Sequence, residues 1–140
     1  MKAGILLVRE IMIRAVKTVG VNVNVRKAVQ KMNKFDIGSI VVMDGKKPVG
    51  ILTERDILRL VEQSIDPSII KVKEVMSSPV TTISPDTSIE DVARLMAKKG
   101  VKKLPVTEDD RLVGIVTATD IMKAGPKLID LLEDLLRTRI

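Results

Sequence analysis

Two short stretches of the chain carry the same four residues at the same spacing. Residues 50–56 read GILTERD and residues 114–120 read GIVTATD, so both contain Gly-Ile-x-Thr-x-x-Asp. A threonine and an aspartate three positions apart can cap a helix, because Thr-x-x-Asp before an apolar run is a capping-box pattern. They can also bind a nucleotide, since a helix N-terminus attracts phosphate and a nearby carboxylate accepts hydrogen bonds from ribose hydroxyls.

Both interpretations of these residues stay open at this point. A single motif favours the cap, and Gly50 would then simply mark close packing of the backbone. Two motifs in one chain favour ligand binding, on the argument that a capping requirement alone would not demand Gly, Ile, Thr and Asp in register in both copies. We call residues 50–56 the first motif and residues 114–120 the second motif.

The two motifs differ at the residue that precedes the aspartate, which is Arg55 in one and Thr119 in the other. Arginine can form a forked, charge-assisted contact with phosphate, and threonine cannot. We therefore predict that phosphate-bearing ligands prefer the Asp56 site. The Asp120 site would be weaker, empty or matched to a less anionic ligand. The alternative for Arg55 is an ordinary solvated residue at a helix start.

The motifs belong to an internal duplication. The offset between them is 64 positions (114 minus 50), and at this offset VREIM at residues 8–12 falls on VKEVM at residues 72–76. Between Val8 and Leu58, 14 positions are identical to their partners without any insertion. A repeat of this kind indicates two copies of one structural unit. We call residues 8–12 and 72–76 the lead segments.

Each copy is predicted to fold as β-α-β-β-α. In copy two, Thr87 with Glu90 three positions later predicts a capping box at the start of the first helix. Apolar runs predict three strands in each copy, at residues 16–19, 39–43 and 49–52 and at residues 80–83, 104–107 and 113–116. The second helix of each copy is predicted to begin at Thr53 and at Thr117. The fold class is therefore α/β (α+β).

One copy alone would be marginally stable, because it would cover its sheet on one side only. Two copies could pack sheet against sheet and share one core. We predict domains at residues 1–64 for repeat one and 65–125 for repeat two, followed by an amphipathic C-terminal helix at 126–140. The apolar stripe of that helix comprises Leu128, Leu131, Leu132 and Leu135. It would either pack back onto its own module or contribute to self-association.

Composition excludes several classes of function. The 140 residues include no Cys and no His, so thiolate metal sites, disulfides and histidine catalysis are ruled out, and we predict no metal site and no enzyme activity. No apolar run at the N-terminus is long enough for a signal or a membrane span, which predicts a cytoplasmic protein. The net charge of +6 fits either a basic soluble surface or an anionic partner.

Residues 8–123 resemble a tandem pair of CBS domains, often called a Bateman module. The resemblance rests on both lead segments, on DIGSIVVMDGKKPVGILTERDIL in copy one and on KGVKKLPVTEDDRLVGIVTATDIM in copy two. It implies two β-α-β-β-α repeats joined through their sheets about a pseudo-twofold axis. It also implies adenine nucleotides or S-adenosylmethionine as regulatory ligands in clefts between the repeats, and frequent homodimers.

The resemblance further implies which residues bind. In the family, the Thr and Asp of one repeat hold phosphate and ribose, and the base lies against the other repeat. The first site would comprise Thr53, Arg55 and Asp56, with the base near Thr82, Val101, Lys102 and Lys103. The second site would comprise Thr117, Thr119 and Asp120, with the base near Thr18, Ile37, Gly38 and Ser39.

The sequence thus predicts a regulatory module that senses an adenosyl compound, with no other cofactor, and that acts through a separate effector protein or through its own oligomer. The alternative is a nucleic-acid-binding or purely protein-interaction module that uses the basic surface, where Lys98, Lys99, Lys102 and Lys103 are the densest cluster. Nucleic-acid binding is the weaker interpretation, because the chain lacks stacking aromatics and any groove-reading motif.

Overall fold

The computed structural model describes residues 6–125, 133 and 135–137, and it divides the chain into two compact units. One unit is Lys17–Val80, which contains the first motif and is called here the first-motif unit. The other holds the described residues of 1–16 and 81–140, contains the second motif, and is called the second-motif unit. Each unit is described by itself.

The first-motif unit is a three-stranded sheet with two helices. Its strands are β1 (Thr18–Gly20), β2 (Ser39–Asp44) and β3 (Lys47–Thr53), in the spatial order β1-β2-β3. Strand β1 runs parallel to β2, and β3 runs antiparallel to β2. The helices are α2 (Val25–Phe35) and α3 (Glu54–Glu62). Their buried faces share one aliphatic core with the sheet, as the sequence predicts for a chain with a single aromatic residue.

The second-motif unit repeats this order with one strand fewer. It contains the short helix α1 (Val8–Ile11), then α4 (Ile89–Lys99), β4 (Lys103–Glu108), β5 (Arg111–Thr117) and α5 (Ala118–Ala124). Strands β4 and β5 pair antiparallel. The predicted strand at residues 80–83 is wrong as a strand, because only Ile83 makes a bridge there, to Val106. Pro105 occupies the position of Val41, and a proline has no N–H with which to continue the ladder.

Irregular features of the backbone recur at the same offset of 64 and support the duplication. The antiparallel register shifts between Val42 and Met43 in one sheet, and between Val106 and Thr107 in the other. Helix α2 ends at Asp36 and helix α4 ends at Gly100, both in the left-handed conformation that closes many helices.

The first helix of copy two is capped by a different residue from the one predicted. The side chain of Ser88, not Thr87, accepts a hydrogen bond from the backbone N–H of Asp91 at 3.1 Å. Glu90 instead pairs with Arg94 one turn later on the exposed face of α4. The position equivalent to Ser88 in copy one is Asn24, which caps α2 in the same way through the N–H of Lys27. The predicted Thr87–Glu90 capping box is therefore wrong.

The lead segments pack in the unit that does not contain their own repeat. Val8 is fully buried in the core of the second-motif unit, and Val72 is fully buried in the core of the first-motif unit. The first lead segment is also bound to the second-motif unit through Arg9, whose guanidinium donates to Asp86 at 3.0 Å. The same bond raises the pKa of Arg9 above its usual value. The compact units thus do not follow the order of the repeats along the chain.

Each lead segment ends on a methionine that lies against a glycine of the third strand. A Cβ placed on Gly50 would come within 2.5 Å of Met76 Sδ and 3.0 Å of the Ser77 carbonyl oxygen. A Cβ on Gly114 would come within 2.6 Å of Met12 Sδ and 3.1 Å of the Ile13 carbonyl oxygen. Real Cβ contacts essentially never fall below 3.0 Å. The motif glycines are therefore closely packed, as one interpretation of the sequence holds, and a Cβ at either one would force the methionine to move.

Part of the predicted C-terminal helix lies outside the described residues, including Leu128, Leu131 and Leu132. Leu135 is described, and it is buried in the core of the second-motif unit. This member of the stripe therefore packs back onto its own module. Within the part of the chain that the structure describes, no helix is long and apolar enough to cross a membrane.

The glycine contact gives a direct stability prediction. Gly50→Ala and Gly114→Ala are each expected to lower the free energy of unfolding by about 1–3 kcal/mol, the usual cost of forcing extra volume into a packed core. Gly20→Ala is the matched control, because the nearest atom to its added Cβ is 4.0 Å away. Urea unfolding measures all three variants. Equal, small losses would show that the methionine side chains move aside at little cost.

Candidate functional site

Thr53 and Asp56 form a complete capping box at the start of helix α3. The Asp56 backbone N–H donates to Thr53 Oγ1 at 3.2 Å, and the Thr53 backbone N–H donates to Asp56 Oδ2 at 2.9 Å. The Thr53 hydroxyl also donates to Asp56 Oδ2 at 3.0 Å. Both residues therefore satisfy backbone groups that a helix start leaves without an intrahelical partner.

The Asp56 carboxylate has further partners and is almost fully buried. The Ser77 hydroxyl lies 3.2 Å from Asp56 Oδ1 and 3.3 Å from Oδ2, and the Arg59 guanidinium lies 3.7 Å from Oδ1. Only 3% of Asp56 is exposed. A buried carboxylate needs such donors, because desolvation without compensation is expensive.

Thr117 and Asp120 form the same cap at the start of helix α5. The Asp120 N–H donates to Thr117 Oγ1 at 3.1 Å, and the Thr117 N–H donates to Asp120 Oδ2 at 3.1 Å. Asp120 is only half-buried. The residue at the place of Ser77 is Ile13, 64 positions earlier, which has no hydroxyl to offer. The two carboxylates therefore share one cap but differ in exposure.

The repeated isoleucines pair with the chain just beyond each lead segment. Ile51 exchanges two backbone hydrogen bonds with Ser77, at 3.0 and 2.9 Å, and Ile115 exchanges two with Ile13, both at 2.9 Å. The caps account for the threonine and the aspartate, and the packing accounts for the glycine, whereas the isoleucine forms these bonds through its backbone alone. The ligand role of the motif residues stays a prediction.

Ligand binding remains compatible with the caps, since a carboxylate has about four acceptor positions. Arg55 and Thr119 are both exposed beside the helix starts. Among the described residues, no carboxylate lies within ion-pair distance of Arg55, so its charge is available to an anion. In the same part of the chain, no three acidic side chains come together in a way that could hold a metal ion.

The structure assigns the residues of each predicted site to two different units. The first-motif unit contains Thr53, Arg55 and Asp56 together with Thr18, Ile37, Gly38 and Ser39. The second-motif unit contains Thr117, Thr119 and Asp120 together with Thr82, Val101, Lys102 and Lys103. Within the units, Ser39 pairs with Thr53 and Lys103 pairs with Thr117 across the antiparallel strands. The base-binding roles across the repeats stay a prediction.

Inside each unit, the start of the second helix is joined to the chain that precedes the second strand. The Glu54 N–H donates to the Gly38 carbonyl at 3.2 Å, and the Ala118 N–H donates to the Lys102 carbonyl at 2.9 Å. Four of the predicted base-side residues, Gly38, Ser39, Lys102 and Lys103, therefore lie next to the Thr-Asp motif of their own repeat. The Thr18 carbonyl accepts a hydrogen bond from Lys31 Nζ at 2.6 Å, which occupies one of its two acceptor positions.

Comparison with known proteins agrees with this architecture. The model of the CBS domain family matches the chain twice, over residues 8–63 and 72–127. The chain belongs to the CBS domain family. The matched residues contain both lead segments and both motifs, so the tandem pair predicted from the sequence is confirmed. The mixed α/β fold class is confirmed as well by the solved structures of CBS domain proteins that it resembles.

Three relatives define the similarity more closely. An uncharacterized protein of Methanopyrus kandleri is 37% identical over 107 residues, which is 74% of this chain and 55% of that protein. The chain thus spans about half the length of that relative. A CBS domain protein of unknown function from Thermoplasma acidophilum has a TM-score of 0.84 at 31% identity, over 96% of this chain and 76% of that one.

The third is the CBS domain pair of protein MJ0100, which was solved in complex with 5′-methylthioadenosine and S-adenosyl-L-methionine. Its TM-score is 0.76 at 31% identity, and the match covers 85% of this chain and 94% of that chain.

Sequence reasoning did not identify Ser77, Met76 or Met12 as partners of the motifs. The methionines carried a readable signal, because Met12 and Met76 recur at the same offset as Gly50 and Gly114. Ser77 carried none, because its counterpart is Ile13 and a difference between copies does not stand out in a search for identities.

The difference between the two carboxylates predicts unequal stability losses. Asp120→Ala is expected to cost about 1 kcal/mol, as for the loss of a cap. Asp56→Ala is expected to cost about 2–3 kcal/mol, because it also leaves polar partners without an acceptor at a buried position. Chemical denaturation of both variants measures the difference. Equal losses would show that the burial of Asp56 and its bond to Ser77 contribute nothing to stability.

Proposed function

We propose that this chain is a regulatory module that binds an adenosyl compound, either an adenine nucleotide or S-adenosylmethionine. The main support is the similarity to the MJ0100 pair, whose structure contains two adenosyl ligands. The match between the two proteins covers 94% of the MJ0100 chain. The two helix starts, each with a threonine and an aspartate, support it because a helix N-terminus carries a partial positive charge that favours an anion, and the carboxylates are acceptors for hydroxyl groups.

The finer assignment follows the family resemblance. Each motif would hold the phosphate or ribose of one ligand, and the base would lie against the residues predicted for the other repeat. Arg55 makes the first site the better one for a phosphate chain, because it is exposed and its charge is available. Thr119 leaves the second site matched to a less anionic ligand.

The remaining parts of the proposal concern how the module acts. It is regulatory rather than catalytic, since a chain without His or Cys lacks the usual general base and thiol nucleophile. It acts on a separate effector protein or through a homodimer in the cytoplasm. Leu58 and Val61 support self-association, because they are 66% and 71% exposed on one face of α3.

A ligand panel tests this function. We expect AMP, ADP, ATP or S-adenosylmethionine to raise the thermal stability of the purified chain, by about 2.7 kcal/mol when the free ligand is at 100 times its dissociation constant. GMP is the matched control for the base. If no adenosyl compound binds by thermal shift or calorimetry, the proposal fails. Binding that ignores the base and falls steeply with salt would favour the nucleic-acid alternative.

The Arg55→Thr variant extends the panel to the phosphate assignment. The substitution makes the first motif resemble the second at this position. It is expected to lower the affinity for ATP by about tenfold, the lower range for a lost hydrogen bond to a charged group, and to leave the affinity for adenosine unchanged. Paired calorimetric titrations of ATP and adenosine measure this. Equal losses for both ligands would show that Arg55 does not contact phosphate.

A further inference from the structure

Asp56 is an unusual residue in this molecule. Among the described residues it is the one charged side chain that is buried, at 3% exposure, although ribose recognition would require a carboxylate that a ligand can reach. Its counterpart Asp120 makes the same cap and is half-buried. The cap is common to both residues and therefore does not account for the difference.

Among the described residues, the second motif lacks three contacts of the first: the Thr53 hydroxyl bond to Asp56, the Arg59 ion pair and the contact made by Ser77. Of these, only Ser77 lies outside helix α3 and its cap. The Ser77 hydroxyl lies within 3.3 Å of both Asp56 oxygens, while Ser77 itself is an exposed residue. Its backbone is fixed by the two hydrogen bonds to Ile51. The hydroxyl thus contacts a buried carboxylate from a residue that is itself exposed to solvent. Ile13 is held against Ile115 by the same backbone pairing, but it carries no hydroxyl.

The acceptor positions of Asp56 are also largely occupied. Oδ2 accepts from the Thr53 backbone N–H and the Thr53 hydroxyl, and the Ser77 hydroxyl lies between Oδ1 and Oδ2. A ribose diol would have to donate two hydroxyl hydrogens to the same oxygens. The Ser77 contacts are longer than the usual 2.7–2.8 Å for hydroxyl donors, so they are weak enough to be displaced.

We propose that Ser77 is a positioning residue that withholds Asp56 from ribose hydroxyls, so that the first motif recognises a ribose only after displacing Ser77. The proposal rests on the proposed adenosyl function and deepens it. It makes the two motifs unlike in a second respect besides Arg55: the first motif provides a cation and a covered carboxylate, and the second provides an open carboxylate without the cation.

The test isolates the first motif with an Asp120→Asn background. Calorimetry compares adenosine with 2′-deoxyadenosine, because the ratio of their affinities reports recognition of the ribose hydroxyl. In Asp120→Asn alone we expect a ratio near 1. In Asp120→Asn with Ser77→Ala, the ratio is expected to rise to about two- to tenfold, the range of a single neutral hydrogen bond. Asp120→Asn with Ser77→Thr, which keeps the hydroxyl, is expected to return the ratio to near 1.

The outcomes separate this proposal from the function on which it rests. Binding of adenosine by the wild-type chain with no rise of the ratio after Ser77→Ala would overturn the role of Ser77 and leave the adenosyl function standing. A lower melting temperature of Ser77→Ala without a change of the ratio would have the same meaning, because it assigns Ser77 a structural role only. Failure of every variant and of the wild type to bind any adenosyl compound would overturn both.

Discussion

The contact between each lead segment and the third strand of the other copy's unit is the constraint on which the rest of the structure depends. Gly50 and Gly114 let the backbone that carries Met76 or Met12 approach closely, because a Cβ at either glycine would meet the methionine and a backbone carbonyl. That approach lets the chain beyond each methionine pair with Ile51 or Ile115. It thereby fixes the position of the strand end from which the helix with Thr53 or Thr117 starts.

The same few residues therefore serve structure first. Thr53 and Asp56, like Thr117 and Asp120, satisfy the backbone groups at a helix start, and their carboxylates keep part of their acceptor capacity. A residue that is already held by a cap loses little conformational freedom when a ligand arrives, which favours binding. Part of the hydrogen-bonding capacity of each capping aspartate is already used, however, and the used part is larger for Asp56 than for Asp120.

Most of the fold could be predicted from the sequence because the duplication supplies every element except the first strand twice. Positions such as Thr53 and Thr117 mark the same helix start in both copies, and the structure places the N-caps there. The absence of the first strand in copy two could not be predicted from apolar runs. It depends on Pro105, which has no backbone N–H to donate to residues 80–83, where Ile83 alone makes a bridge. The cap at Ser88 rather than Thr87 shows the same limit, since two adjacent hydroxyl residues can each start a helix.

The sequence predicted the motif residues of the candidate site but not their surroundings. Residue types and spacing identify Thr53, Asp56, Thr117 and Asp120, but they do not reveal how accessible each carboxylate is. Accessibility depends on long-range contacts such as Ser77 with Asp56, 21 positions apart in the chain. These contacts arise because the lead segments pack in the unit that does not contain their own repeat, and no local pattern encodes that exchange.

We expect the repeated motif to bind an adenosyl ligand while it keeps its helix caps. Nuclear magnetic resonance of the backbone amides tests it most directly, in a titration of the uniformly labelled chain with S-adenosylmethionine and with AMP. Ligand-dependent shifts are expected at residues 54–56 and 118–120, with the capping amides of Asp56 and Asp120 still protected from exchange. Saturable binding that leaves the amides of both motifs unchanged would contradict it.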